Sequence, residues 1–165
     1  MKRVLSIQDI SCIGKCSLTV ALPIISAMGI ETSILPTSIL STHTMFNDFT
    51  FRDLTDDMEP IKKHWQKEGF SFDAIYTGYL GSEKQITLVK DYFKTFGNAC
   101  KYIIVDPAMA DNGKLYSGFD KDFPLKMAKL CKYADVILPN ISEAAFMTGM
   151  PYPGENASNE CIKDL

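Results

Sequence analysis

The sequence predicts an α/β fold with a mainly parallel central sheet and helices on both of its faces. Two observations carry this. Short β-rich runs alternate with longer amphipathic stretches from residues 4–7 to residues 135–138, the pattern of repeated strand–helix units. The ends of the successive strands also carry Gln8-Asp9, residues 38–44, Gly78-Tyr79, Asp106 and Asn140. These form one polar rim on the edge where parallel sheets hold their ligands.

The elements follow in order. Residues 4–7 form the first strand, which enters a loop holding Asp9, Ser11 and Gly14. Ser17 caps a helix over 18–28, and Gly29 follows as its left-handed end. Residues 32–35 form the second strand, stopped by Pro36, before a polar loop over 38–47. Residues 49–51 alternate as a short edge strand or flap. Asp56 or Asp57 begins a helix to Glu68, with Gly69 beyond it. Residues 73–77 form the third strand, ending in Gly78-Tyr79-Leu80-Gly81. Ser82 and Gln85 have capping-box spacing for a helix to Phe96. Residues 101–105 form the fourth strand, ending on Asp106-Pro107. A loop with Asp111-Asn112-Gly113 leads to a helix over 122–133. Residues 135–138 form the fifth strand, and Ser142 caps a helix through Met147 that Gly149 closes. Residues 157–165 begin a further helix, and a crossover helix needs a next strand beneath it, so the C-terminal part of the fold is expected to be missing.

With 165 residues, 46% of them hydrophobic, the chain can bury one substantial core. A net charge of −3 gives no reason to expect a nucleic acid or an anionic membrane as partner. The five cysteines have no framework spacing and read as free thiols of a reducing compartment. No signal peptide and no membrane-length apolar run is found, so a soluble, cytoplasmic location is expected.

Four features bear on chemistry, and each has an ordinary explanation beside it. Asp106 and Asp111 suit magnesium-nucleotide binding, directly or through water; alternatively they cap a loop and start an Asp-Asn-Gly turn. Asn140 and Glu143 suit phosphate or metal-bound water, although a carboxylate in the first helical turn is favoured by the helix dipole anyway. His43, in Ser41-Thr42-His43-Thr44, is a binding candidate or a hydrogen-bonded loop histidine. Tyr79 is placed to stack on a planar ring or simply to pack in a tight turn.

Their order is more telling than any one of them. Asp9 and Ser11 after the first strand, then Thr-His-Thr, Gly-Tyr-Leu-Gly, Val-Asp-Pro and Pro-Asn-x-x-Glu, resemble the pyridoxal/pyridoxamine kinase branch of the ribokinase superfamily. Residues 16–29 and 51–55 look especially like bacterial members labelled pyridoxamine kinase. The resemblance covers residues 4–150. It implies a ribokinase-like three-layer sandwich, of which residues 1–165 are a partial domain, in a protein that is a homodimer when complete. It also implies transfer of the γ-phosphoryl of ATP to the hydroxymethyl group of a vitamin B6 vitamer, with Mg2+ and optionally a monovalent cation. Asp9 (Ser in many relatives), Ser11, His43, Thr44 and Tyr79 match positions around the vitamer. Asp106, Asp111, Tyr116, Asn140 and Glu143 match the ATP side, with Glu143 and Asp106 nearest the metal.

Three departures matter. Ala110 and Ala108 stand where relatives carry Gly and Val, and a Cβ at Ala110 is expected to narrow the approach to phosphate. Leu138 replaces a Thr near the metal site. The family's Gly-x-Gly-Asp motif, which supplies the catalytic Asp C-terminal to the matched region, does not occur in the chain. No catalytic residue is therefore assigned, and poor transfer by this chain alone is expected. Two other readings stay open: a hydroxymethylpyrimidine or hydroxymethylpyrimidine-phosphate kinase, and a non-catalytic vitamer-binding fragment.

Overall fold

The computed structural model of the chain describes residues 1–154 and 156–165. Its strands are β1 (Arg3–Ser11), β2 (Glu31–Leu40), β3 (Phe51–Asp53), β4 (Ala74–Thr77), β5 (Tyr102–Val105), β6 (Ala110–Asp111), β7 (Lys114–Leu115) and β8 (Val136–Ile137). Its helices are α1 (Leu18–Ala27), α2 (Thr55–Lys67), α3 (Glu83–Phe96), α4 (Phe123–Cys131), α5 (Ile141–Thr148) and α6 (Asn159–Lys163). The main sheet has the order β3-β2-β1-β4-β5-β8, and β6 and β7 form a separate hairpin. All neighbours in the main sheet are parallel except β3, which runs antiparallel along Ser38, Ile39 and Leu40 of β2. The expected α/β architecture with a mainly parallel sheet is the one observed.

The alternation of strand side chains divides the two faces. Leu5, Ile7, Ile75 and Val105 point into one core with Met58 of α2, Val89 and Tyr92 of α3, and Met127 and Leu130 of α4. On this face α2 packs on α3, α3 on α4 and α4 on α5. Lys62 of α2 is 5% exposed and reaches Glu59 of its own helix and Asp91 of α3, so its charge is buried with partners. Gln8 and Tyr76 point to the opposite face, where they line a cavity together with Val20, Ala21 and Ile24 of α1. α1 covers β1 and β2 there. Tyr102, Val136 and Ile137, on β5 and β8, are 40–45% exposed.

Several local expectations are corrected. Pro36 does not stop β2, which runs on to Leu40; Pro36 lies opposite Gln8, beside a register shift between Gln8 and Ile10. β3 pairs only with Ser38–Leu40, so β2 is an edge strand at Pro36, where a missing donor costs least. The flap strand falls two residues later than expected, at Phe51–Asp53. α2 begins at Thr55 rather than at Asp56 or Asp57, because Asp53 accepts from the Thr55 amide at 2.8 Å and from its hydroxyl. Ser17 precedes α1 but makes no side-chain cap. Ser142 does not cap α5; Asn140 does, and the Ser142 hydroxyl accepts instead from the Gly113 amide at 2.8 Å. The Ser82 cap is observed, its hydroxyl accepting from the Gln85 amide at 3.2 Å. Gly29 and Gly149 close their helices with φ of 78° and 74°, as expected.

Tyr92 is fully buried and its hydroxyl donates to the Met58 carbonyl at 2.6 Å, tying α3 to α2. Tyr92→Phe is expected to cost about 1 kcal/mol, measured as a lower urea midpoint at unchanged m-value.

Candidate functional site

Two cavities open side by side at the carboxyl ends of the central strands. The first, about 410 Å³, is lined by Asp9, Ser11, His43, Thr44 and Tyr79, with Asp111 and Tyr116 on its far wall. The second, about 450 Å³, contains Asp106, Gln8 and Tyr76. Lys15, Cys16, Ser17, Tyr79 and Ala108 line both. Segments 9–17, 40–45, 76–79 and 106–116 thus meet around one continuous site.

Asp9 ends the buried stretch of β1 and is 5% exposed. Its Oδ2 accepts from the Ser11 hydroxyl at 3.4 Å, while Oδ1 is buried without a protein partner. Burial pushes its pKa up, against the opposing effect of the Ser17 hydroxyl, its own amide and Ser11. Asp106 is also raised by burial, and the Tyr76 hydroxyl beside it partly offsets this. Tyr79 is raised by burial and then by Asp9 and Asp53, so its phenol holds its proton. The Tyr79 ring is backed by Phe119 at 5.6 Å.

His43 is placed by its backbone and its ring together. Its amide donates to the Ile13 carbonyl at 3.2 Å, and Nδ1 accepts from the Met45 amide at 3.4 Å. With Nδ1 accepting, the neutral ring carries its proton on Nε2. Gly14, with φ of 111°, lies directly beneath: a Cβ there would sit 2.3 Å from His43 Cδ2. Gly14 is therefore a site residue that sequence reasoning left as a plain loop glycine. A glycine facing a histidine across two loops leaves no trace in spacing along the chain. Gly78 has a comparable duty, since a Cβ there would sit 2.9 Å from the Gln8 side chain.

The turn that carries Tyr79 is tied from behind. Gln85 is 1% exposed; its Nε2 donates to the Thr37 carbonyl (3.0 Å), Asp53 Oδ1 (3.2 Å) and Thr55 Oγ1 (2.9 Å). Its Oε1 accepts from the Gly81 amide at 2.8 Å. The Thr37 hydroxyl donates to the Tyr79 carbonyl at 3.3 Å. The position chosen for helix capping thus also joins β2, β3, α2 and the Gly78-Gly81 turn.

Asn140 and Glu143 line neither cavity. They form a complete capping box: Asn140 Oδ1 accepts from the Glu143 amide at 2.9 Å, and Glu143 Oε2 accepts from the Asn140 amide at 2.8 Å. Glu143 Oε1 accepts from Met109 N at 3.2 Å, and Asn140 Nδ2 donates to the Ala110 carbonyl at 2.8 Å. Asp111 accepts from the Asn112 amide at 2.9 Å and begins the β6–β7 turn, where Asn112 and Gly113 have φ of 50° and 70°. It borders the first cavity all the same, as does Tyr116, whose phenol is pushed up to about 12 by burial and then by Glu143, Asp111 and Asp106. Ala110 is fully buried in the core cluster. Leu138 is 50% exposed and brings no hydroxyl.

Glu143 is pushed up to about 7, chiefly by burial, against the backbone amides it accepts from. A carboxyl raised from its ordinary value of 4.5 binds more protons folded than unfolded, so its contribution is full below 4.5 and lost as pH rises through about 7. Without added divalent cation, the melting temperature is expected to fall across that window, and Glu143→Gln is expected to flatten the decline.

Comparison with known proteins places this geometry. The family model for phosphomethylpyrimidine kinase matches residues 31–165. A Bacteroides thetaiotaomicron protein named as a phosphomethylpyrimidine kinase, solved in a crystal form with pyridoxal, is 43% identical over 99% of this chain and 57% of its own, with a TM-score of 0.93. Pyridoxal kinase from Lactobacillus plantarum is 37% identical over 98% of this chain and 58% of its own, with a TM-score of 0.89. The pyridoxal kinase PdxY of Actinobacillus pleuropneumoniae is 27% identical over 99% of this chain. The chain spans 59% of that relative's length, and little more than half of the two solved proteins. The chain belongs to the phosphomethylpyrimidine kinase family, on the pyridoxal kinase branch of the ribokinase superfamily.

Proposed function

We propose that residues 1–165 supply the substrate-pocket portion of a ribokinase-like kinase domain that phosphorylates the hydroxymethyl group of a vitamin B6 vitamer. The convergence of Asp9, Ser11, His43, Thr44 and Tyr79 on one cavity of about 410 Å³ carries this reading. That volume suits a single small heterocycle. The relative solved with pyridoxal supports the same choice. Asp9 brings an unpaired buried Oδ1 as acceptor, His43 brings Nε2 as donor, and Tyr79 brings a protonated phenol and a ring face. Leu40 and Met45 add apolar surface to the cavity lining.

Magnesium-ATP supplies the phosphoryl group in such a kinase. Among the described residues no three His, Cys, Asp or Glu side chains converge to hold a metal ion. Asp106 borders the second cavity, and Glu143 is buried with its two oxygens accepting from the Met109 and Asn140 amides. In this reading a magnesium ion would take most of its oxygens from phosphate and water, with Asp106 and Glu143 contributing through water. Asp111, Tyr116 and Asn140 are the remaining residues on the nucleotide side of this reading. The chain's own part is to bind and orient the acceptor, and without Gly-x-Gly-Asp among its 165 residues it is expected to bind without efficient turnover. Among the described residues no helix is long and apolar enough to cross a membrane. The five free cysteines accord with work in the cytoplasm.

The family model's own description favours a second reading, a hydroxymethylpyrimidine or hydroxymethylpyrimidine-phosphate kinase. Calorimetry on the 165-residue chain separates them. Pyridoxal is expected to bind at least about tenfold tighter than hydroxymethylpyrimidine; the reverse order would transfer the assignment to the pyrimidine. His43→Ala and Tyr79→Ala are each expected to weaken pyridoxal roughly five- to tenfold. Unchanged affinity in both variants would remove the cavity from the proposal.

A further inference from the structure

The loop between β1 and α1 is fastened on two sides. Thr19, in the first turn of α1, shares its hydroxyl proton between the Cys16 carbonyl at 2.7 Å and the Gly14 carbonyl at 3.1 Å. The same oxygen accepts from the Cys16 amide at 3.3 Å. On the other side Gly14 lies under the His43 ring with no room for a Cβ, and the His43 amide donates to the Ile13 carbonyl at 3.2 Å. Lys15 sits between these two anchored residues, Gly14 and Cys16. It lines both cavities, and none of the ion pairs among the described residues uses its ammonium.

The charges around that ammonium are one-sided. Asp9 and Asp111 line the first cavity and Asp106 the second, and no other Lys or Arg among the described residues lines either. Asp9 Oδ1, buried and without a protein partner, offers the first cavity one more acceptor and no donor. A neutral heterocycle tolerates such walls. A ligand that carries a phosphate dianion does not, and its retention at the junction depends on the one cation there.

We propose that Lys15 is a specificity-determining residue: with the ring in the first cavity, its ammonium holds a phosphomonoester carried by that ring at the junction with the second. This rests on the ring-pocket reading given above and adds to it the contact that separates a phosphorylated heterocycle from the free alcohol. A lysine suits the task, because a single ammonium on a flexible stem follows a phosphate oxygen without needing the fixed fork of an arginine.

The test is calorimetry on the 165-residue chain with pyridoxine and pyridoxine 5′-phosphate, neither of which has an aldehyde to form imines with lysines. Lys15→Ala and Lys15→Gln are each expected to weaken pyridoxine 5′-phosphate about tenfold and pyridoxine less than about twofold. Lys15→Arg is expected to keep most of the phosphate affinity. Raising the ionic strength is expected to weaken the phosphate ester in the parent chain more than in Lys15→Gln. Equal losses for the two ligands would make Lys15 a structural residue, and unchanged affinity for the phosphate ester would remove it from the site; either result overturns the proposal. A parent chain that binds pyridoxine but not its phosphate ester leaves the ring pocket standing and ends the role of Lys15. Should neither bind, the vitamer reading fails by itself, and hydroxymethylpyrimidine with its phosphate ester decides Lys15 by the same comparison. Absence of binding by that phosphate ester too would overturn the proposal.

Discussion

A single buried amide organises the site. Gln85 lies almost wholly out of water, and a primary amide buried without partners would cost several times what a made hydrogen bond returns. Its nitrogen and its oxygen are both satisfied, on β2, on Asp53 of β3, on Thr55 of α2 and on the glycine turn. The requirement that it be satisfied fixes the position of the flap strand relative to the turn bearing Tyr79. A leucine of similar size would pack as well and specify none of this.

Around that tie the rim is built from buried acids with few cations near them. Asp9, Asp106 and Glu143 are all raised, and burial is the largest cause in each case. Lys15 is the only Lys or Arg among the described residues lining either cavity. A pocket of this kind favours ligands that bring hydrogen-bond donors on one side and counter-cations on the other.

The alternation of elements, and with it the sheet, was legible because strand and helix periodicities are local properties of the chain. That Asp9, Ser11, His43, Thr44 and Tyr79 line one cavity was legible from the family resemblance together with parallel topology, which brings every strand's carboxyl end to one edge. What escaped was decided by partners distant in sequence. Pro36 reads as a strand breaker until β2 is seen to be unpaired on its outer side at that level. Ser17 and Ser142 both read as caps, yet Ser17 makes no side-chain cap and the Ser142 hydroxyl accepts from Gly113 of another segment. Gly14 carries no signal until His43 lies over it.

The capping box of α5 is also the anchor of the β6–β7 hairpin. Met109, Ala110 and Gly113 are bonded to Glu143, Asn140 and Ser142, so the hairpin is fastened at three points to one helix end. The wall formed by Asp111 and Tyr116 consequently behaves as an outrigger of α5: any sliding of that helix would reshape the first cavity from the side, with the floor made by β1 and β4 standing still.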